Sequence, residues 1–308
     1  MDPAALLATF STRFLGIFIE AVSFLLIGSL LSGLIEVFIT KEDMVRIMPR
    51  NRILATLAGA FLGFIFPVCE CGVVPVTRRL YQKGMPISVG ITFLLAAPVM
   101  NPIVFASTFA AFGWGPVLIG RYLITFVIAM TVGILFSFQN RPQRLINPQA
   151  VLVISGGSTE ATLAMPDQRM PLLPGLRRAF VLAGEDFFEM GRFLIIGTFL
   201  ASLLQTVVPQ DSLRVLATNP VNSVLVMAGL AFLLSVCSTV DAFLALSFAR
   251  TFTTGSILTF LTFGPMVDIK SATMYLGIFR KKTVFYIVVL PFLISVLFGI
   301  WLNLNVTF

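Results

Sequence analysis

Apolar stretches long enough to cross a lipid bilayer recur along this chain, at 14–38, 53–78, 86–112, 116–138, 187–208, 221–249, 256–279 and 283–303. About 20 apolar residues in an α-helix span the roughly 30 Å hydrocarbon layer, so each stretch is a candidate crossing. The runs are continuous, whereas an outer-membrane barrel alternates apolar and polar residues in short strands. With 57% hydrophobic and only 11% charged residues among 308, no soluble core could hide these side chains. The expected fold is therefore all-α, a polytopic membrane protein of about eight transmembrane helices with the lipid bilayer as its surroundings. MDPAALLATF carries an acidic residue where a secretion signal has its basic region, so the first run is expected to remain as a span.

The segment 139–186 is polar and rich in breakers, as in RPQRLINPQ and SGGSTE, and reads as a linker with a short helix leading into the fifth span. The halves on either side of it, 1–138 and 187–308, look alike. FIEAVSFLLIGSLLSGL from Phe18 aligns with FFEMGRFLIIGTFLASL from Phe187, and TFLLAAPVMN from Thr92 with TFLTFGPMVD from Thr259. Between them VCECGVV and VCSTVDA align at Cys69 and Cys237. Two internal repeats of four spans each are expected, a plan that in transporters sets the substrate site near mid-membrane at the repeat interface. Four simple spans per half make the repeats parallel; a re-entrant PVCECG segment would change the count and could invert them. Basic residues divide evenly if every span is simple. Arg78, Arg79, Lys83, Arg141, Arg144, Arg177 and Arg178 then share the face of the N-terminus and linker. Lys41, Arg46, Arg50, Arg52 and Arg280–Lys282 take the other. The termini are expected to be cytoplasmic.

Proline inside a span removes an amide donor and crowds the carbonyl four residues earlier. Pro67, Pro75, Pro98, Pro102 and Pro265, with Gly72, mark expected helix breaks in the second, third and seventh spans. In the sixth span the break rests on CSTVD, which has no proline. A carbonyl freed in hydrocarbon is costly unless it lines a wet cavity or meets another polar group.

Three of these four spans hold the ionisable residues deepest in the chain, Glu70, Asp241, Asp268 and Lys270. Each costs about 2.5–3.5 kcal/mol at a helix centre, so four facing lipid would cost on the order of 10 kcal/mol. They must face a cavity, pair or be protonated. Asp268 and Lys270, two apart, point to opposite sides of a regular helix and are not expected to pair directly. Cys69 and Cys71 would likewise point about 200° apart on a helix, and could address one ligand only if the backbone between them is unwound. Glu189 and Arg192 read as a local ion pair near the border of the fifth span, and Gly59 and Gly63 as a close-packing helix face.

Several classes are excluded or weakened. The three cysteines all lie in apolar segments, which argues against a disulfide framework, and the absence of histidine removes imidazole metal sites and relays. The net charge of +7 sits mostly in loops and fits anionic lipid, with no basic soluble domain to bind nucleic acid. No G-x-x-x-x-G-K occurs, so ATP hydrolysis through a P-loop is not expected, and no hydrolase motif or cofactor signature stands out.

PVCECGVVPVTRRLYQKGMP, FLLAAPVMNP, CSTVDAF and FGPMVDIK occur in the order found in the predicted permease family that includes the ArsP-type organoarsenical efflux permeases, and the chain resembles that family over nearly its whole length outside the linker. The resemblance implies a bacterial inner-membrane protein of about eight spans that, in some members, exports trivalent methylated or aromatic arsenicals. The positions that match the family's motifs are Cys69, Cys71, Pro98, Asn101, Cys237, Asp241, Pro265, Asp268 and Lys270. Glu70 stands where relatives carry serine.

The expected function is a secondary transporter, not an enzyme, that exports a soft thiophilic solute. Cys69, Glu70, Cys71, Asn101, Cys237, Asp241, Asp268 and Lys270 form the candidate substrate site. Cys69, Cys71 and Cys237 are its candidate ligands for a metalloid or metal ion, and a proton is the candidate coupling ion. The alternatives are a zinc-like divalent-cation permease and, in another class, a membrane thiol–disulfide oxidoreductase using Cys69 and Cys71.

Overall fold

A computed structural model describes residues 3–49, 51–66, 68–139, 145, 172–207, 219–249 and 251–305. Every regular element among them is helical. They are α1 (Pro3–Phe38), α2 (Lys41–Ile47), α3 (Arg52–Ile65), α4 (Glu70–Gln82), α5 (Ile87–Ala96), α6 (Pro102–Phe112), α7 (Pro116–Ser137), α8 (Leu172–Val207), α9 (Pro220–Leu234), α10 (Asp241–Phe248), α11 (Thr254–Met266), α12 (Ile269–Ile278) and α13 (Lys281–Asn305). The chain is an all-α, polytopic membrane protein. Four helices, α1, α7, α8 and α13, are long and apolar enough to cross a bilayer uninterrupted. The other four apolar stretches are each split into two short helices: α3/α4, α5/α6, α9/α10 and α11/α12.

Each interruption has a local cause. Between α5 and α6, Pro98 lies in the turn and Pro102 opens α6 as its first residue, behind Asn101 as N-cap. Pro265 ends α11 one residue later at Met266, and Val267 and Asp268 are extended before α12 begins. In the sixth stretch Ser235 takes a left-handed conformation (φ 49°), and α10 starts only at Asp241. The second stretch breaks over residues 66–69, with Phe66 and Cys69 extended. Pro67 lies outside the described residues. Gly72 and Pro75, expected breakers, instead lie inside α4. The physical reason at Gly72 is packing: a β-carbon on Gly28 of α1 would overlap the Gly72 backbone, so the two helices touch there.

The contacts fix the direction in which each helix runs. Gly59 meets Val89 and Gly63 meets Ala97, so α3 and α5 run parallel from a shared end. Gly133, near the end of α7, lies against Thr56, Ser88 and Thr92, which brings that end of α7 to the starts of α3 and α5. Since α4 ends at Gln82 and α5 begins at Ile87, the end of α4 is there too. The α3–α4 pair therefore dips to mid-bundle and turns back. The sixth stretch behaves likewise: Ser223 bonds Ser256 (2.7 Å) and Ala231 faces Gly264, so α9 and α11 start together. A short connection joins the end of α10 to that same start. The α5/α6 and α11/α12 pairs continue across. Gly120 of α7 touches Leu258 at the opposite end from Gly133, and Phe279 meets Tyr81 edge to face at 5.8 Å where α4 and α12 both finish.

One end of the bundle thus collects the ends of α1, α4, α7 and α12 and the starts of α3, α5, α8 and α13. It is called the linker end, because the connection 138–171 leaves and returns there. Leu145, within that connection, accepts bonds from the Arg280 amide (3.0 Å) and the Thr283 hydroxyl (3.1 Å). The remainder of 140–171 lies outside the described residues, and α8 begins at Leu172 as one continuous 36-residue helix. The opposite, terminal end holds the start of α1 and the end of α13.

Candidate functional site

Every ionisable residue expected deep in the spans is buried, and the breaks explain where each one stands. Cys69 caps α4 in an extended conformation (φ −80°, ψ 176°), while Cys71 is already inside the helix. That change of backbone removes the divergence a regular helix would impose. The two thiols lie close enough to influence one another electrostatically. Both are buried and free, as is Cys237 in the tip of the second hairpin. Cys237 Sγ accepts the Thr239 hydroxyl at 3.6 Å and lies within electrostatic reach of Cys69, Glu70 and Lys270. The cysteines of the two hairpin tips, from opposite halves of the chain, therefore lie within electrostatic reach of one another.

Lys270 stands beside them. Its Nζ is 3.4 Å from Glu70 Oε1 and 3.5 Å from Asp268 Oδ2, and all three side chains are at most 2% exposed. The Asp268–Lys270 pairing differs from the expectation for residues two apart. Asp268 is not in the helix: it is the extended N-cap of α12 (φ −129°, ψ −178°), which frees its carboxylate to face Lys270. Asp268 Oδ1 also accepts the Ser271 amide at 2.7 Å, and Ser271 Oγ accepts the Asp268 amide at 2.9 Å. Asp268 is thereby fixed in place. Among the described residues Lys270 is the ion-pair partner of Glu70, whose second oxygen has no hydrogen-bond partner. Two carboxylates sharing one ammonium leave one negative charge in excess. Both carboxylates sit at the first turn of a half-helix, where the helix dipole favours anions.

Asp241 and Asn101 belong to a different cluster. Asp241 opens α10 and receives both Arg121 terminal nitrogens, at 3.0 and 2.7 Å; one of these also donates to Thr108 at 2.8 Å. Arg121 is fully buried. Asn101 spends its side chain on the break, accepting from the Val104 amide (2.9 Å) and donating to the Ala97 carbonyl (3.2 Å). Its carbonyl accepts the Tyr122 hydroxyl at 3.2 Å. Neither side chain reaches the Lys270 group. Sequence reasoning passed over Arg121, six residues into α7. The available signal was an arginine inside an apolar run without an acidic neighbour one turn away.

A third cluster, also unforeseen, ties α4 to α1 and α8 at the linker end. Arg79 makes a bidentate pair with Asp186 (2.9 and 2.8 Å), Arg78 bonds Glu189, and Lys83 lies 3.3 Å from Glu36. Glu189 still has Arg192 within 3.8 Å, but Arg192 is 62% exposed while Arg78 is buried. The strong partner of Glu189 is thus remote in sequence. Among the described residues no group of three or more Cys, Asp or Glu is arranged to hold a metal ion.

Comparison with known proteins agrees with a membrane permease. The family profile described as a predicted permease (ArsP_1) matches residues 6–304. UPF0718 protein YcgR of Bacillus subtilis is 44% identical over 277 residues, covering 89% of this chain and 90% of that protein. A Streptococcus mutans protein named "putative two-component membrane permease complex subunit" is 37% identical over 287 residues, covering 92% of each. UPF0718 protein YraQ of Escherichia coli is 26% identical over 89 residues, 29% of this chain and 26% of that one. No solved structure matches.

Proposed function

The chain belongs to the ArsP_1 family of predicted permeases, and on that premise we propose that it is an inner-membrane secondary transporter exporting a soft, thiophilic solute such as a trivalent organoarsenical. The observation that carries this reading is the placement of Cys69 and Cys71 at one hairpin tip within electrostatic reach of Cys237 at the other. Thiols are the ligands soft centres prefer, and here they sit where two helix breaks already relieve the backbone of regular packing. The three do not form a closed ligand set at rest. Binding by the Cys69/Cys71 pair first, with Cys237 engaged as the tips move, suits a carrier that must also let go.

The excess negative charge around Lys270 gives a coupling proton a place to reside. That same charge favours a second reading, a divalent-cation permease, in which Glu70 and Asp268 would take the ion. Sensitivity of a deletion strain to arsenicals, antimonials, zinc and copper, with Cys69→Ser and Glu70→Gln variants alongside, separates the two. Metalloid sensitivity rescued by the wild type and not by Cys69→Ser supports the thiophilic carrier. Unchanged growth across the panel overturns it, and zinc sensitivity that depends on Glu70 alone replaces it with the cation permease.

A further inference from the structure

We propose that this chain crosses the membrane six times as two oppositely oriented halves, with α3–α4 and α9–α10 as re-entrant hairpins from opposite faces, the linker end in the cytoplasm and both termini outside. The Cys69/Cys71 pair then rides on the cytoplasmic hairpin and Cys237 on the external one. This assigns each set of thiols a side of access, and in that respect it deepens the transport reading, though its test needs no transport.

Three independent observations carry it. The first is helix direction. The paired starts of α3 with α5, and of α9 with α11, send each hairpin back to the face it came from, and those two faces are opposite ends of the bundle. Neither hairpin limb could cross alone: α4 has 13 residues and α10 has 8, about 20 Å and 12 Å of helix.

The second observation is that the two halves repeat their packing in inverted order. A β-carbon on Gly133 would overlap the Thr92 hydroxyl, and one on Gly299 would overlap the Thr259 hydroxyl. Thr92 and Thr259 are aligned residues. Each bonds the carbonyl four residues back, Ser88 and Gly255, at 2.9 Å. Asn101 and Asp268, also aligned, both cap the half-helix after the break through an Oδ1 that accepts an amide three residues on. Glu70 and Asp241 both open the returning limb of a hairpin. Thr92 and Glu70 lie towards the linker end and Thr259 and Asp241 towards the terminal end, with Asn101 and Asp268 at the two breaks, as two-fold symmetry about an axis in the membrane plane requires.

The third observation is charge. Once the hairpins turn back, the basic residues no longer divide evenly. Lys41, Arg46 and Arg52 around the start of α3, Arg78, Arg79 and Lys83 closing α4, and Arg280–Lys282 at the start of α13 all fall at the linker end. In sequence, Arg141, Arg144 and Arg169 belong to the connection between α7 and α8, and α8 adds Arg177 and Arg178 in its first turns. The terminal end has Arg13 besides the buried, paired Arg121, and in sequence Arg214 belongs to the connection between α8 and α9 and Arg250 to that between α10 and α11. Lys and Arg in short loops stay on the cytoplasmic side, so this imbalance sets the orientation and reverses the expectation of cytoplasmic termini.

Single cysteines in a background lacking Cys69, Cys71 and Cys237 test the path with a membrane-impermeant maleimide on intact spheroplasts. Glu42→Cys and Pro86→Cys, on either side of the first hairpin, are expected to label only after permeabilisation. Asn219→Cys and Thr253→Cys, flanking the second, are expected to label at once; all four positions are exposed. Labelling in detergent controls for folding, and an alkaline phosphatase fused after the last residue is expected to be active. Opposite behaviour of Glu42→Cys and Pro86→Cys, or of Asn219→Cys and Thr253→Cys, overturns the hairpins. Reversal of all four, with an inactive fusion, overturns the orientation. Either result would leave the thiophilic reading standing.

Discussion

Lys270 Nζ lies 3.4 Å from Glu70 Oε1, two hundred residues away in sequence, and so joins the half-helix after one break to the half-helix after another. Removing the ammonium while leaving Glu70 and Asp268 buried costs the full desolvation of an unpaired charge. Lys270→Met is expected to destabilise the protein by about 3–5 kcal/mol, read as a lowered unfolding temperature in detergent. Lys270→Met combined with Glu70→Gln is expected to recover part of that loss, because only Asp268 is left without its ammonium and it keeps its hydrogen bonds to Ser271.

Arg121 and Asp241 form a closed, bidentate pair away from the thiols. Arg121→Met is expected to cost about 3–5 kcal/mol by the same physics, and Asp241→Asn less, since an amide can still accept from Arg121. A double-mutant cycle in thermal unfolding is expected to give a coupling of roughly 1–3 kcal/mol. Additive single effects would show that the two side chains are not a pair in the membrane.

Gly28→Ala is expected to force α1 away from α4, because the new methyl would overlap the Gly72 backbone and no flexible side chain can yield. Gly184→Ala, where the added carbon meets nothing within 4 Å, is expected to be neutral or to stabilise by about 0.5–1 kcal/mol. Comparing the monodispersity and unfolding temperature of the two variants checks both statements.

The three ion-pair clusters differ in what salt can reach. Arg192 is exposed, so its contact with Glu189 is screened, while Arg78 and Arg79 are mostly buried. Arg192→Ala is expected to change stability by less than about 1 kcal/mol, and Arg79→Ala by several times as much, since Asp186 would lose its bidentate partner. Parallel melts of the two variants at low and high salt distinguish them.

Much of the helical content was legible because its signals are local. Apolar run lengths locate the helices, and Pro98, Pro102 and Pro265 announce breaks by their own chemistry. The direction of the chain after a break was not legible, since a limb that returns has the same composition as one that continues. The even division of basic residues followed from assuming that every stretch crosses, and it dissolves once α4 turns back. At the site, Cys69, Glu70, Cys71, Asp268 and Lys270 were named from residue type alone. Their geometry depends on Asp268 and Cys69 lying outside their helices, which the two-residue spacing could not disclose. Arg121 and Arg78 were missed because their partners, Asp241 and Glu189, are more than a hundred residues distant.

The thiol pair at the first hairpin tip is the centre of the functional account, and flux measures it most directly. Everted membrane vesicles loaded by an imposed proton gradient are expected to accumulate a trivalent methylated arsenical with the wild-type chain. Cys69→Ser and Cys71→Ser variants, inserted and folded to the same level, are expected to fall to the background of empty-vector vesicles. Accumulation undiminished in the variant lacking both thiols would contradict the account.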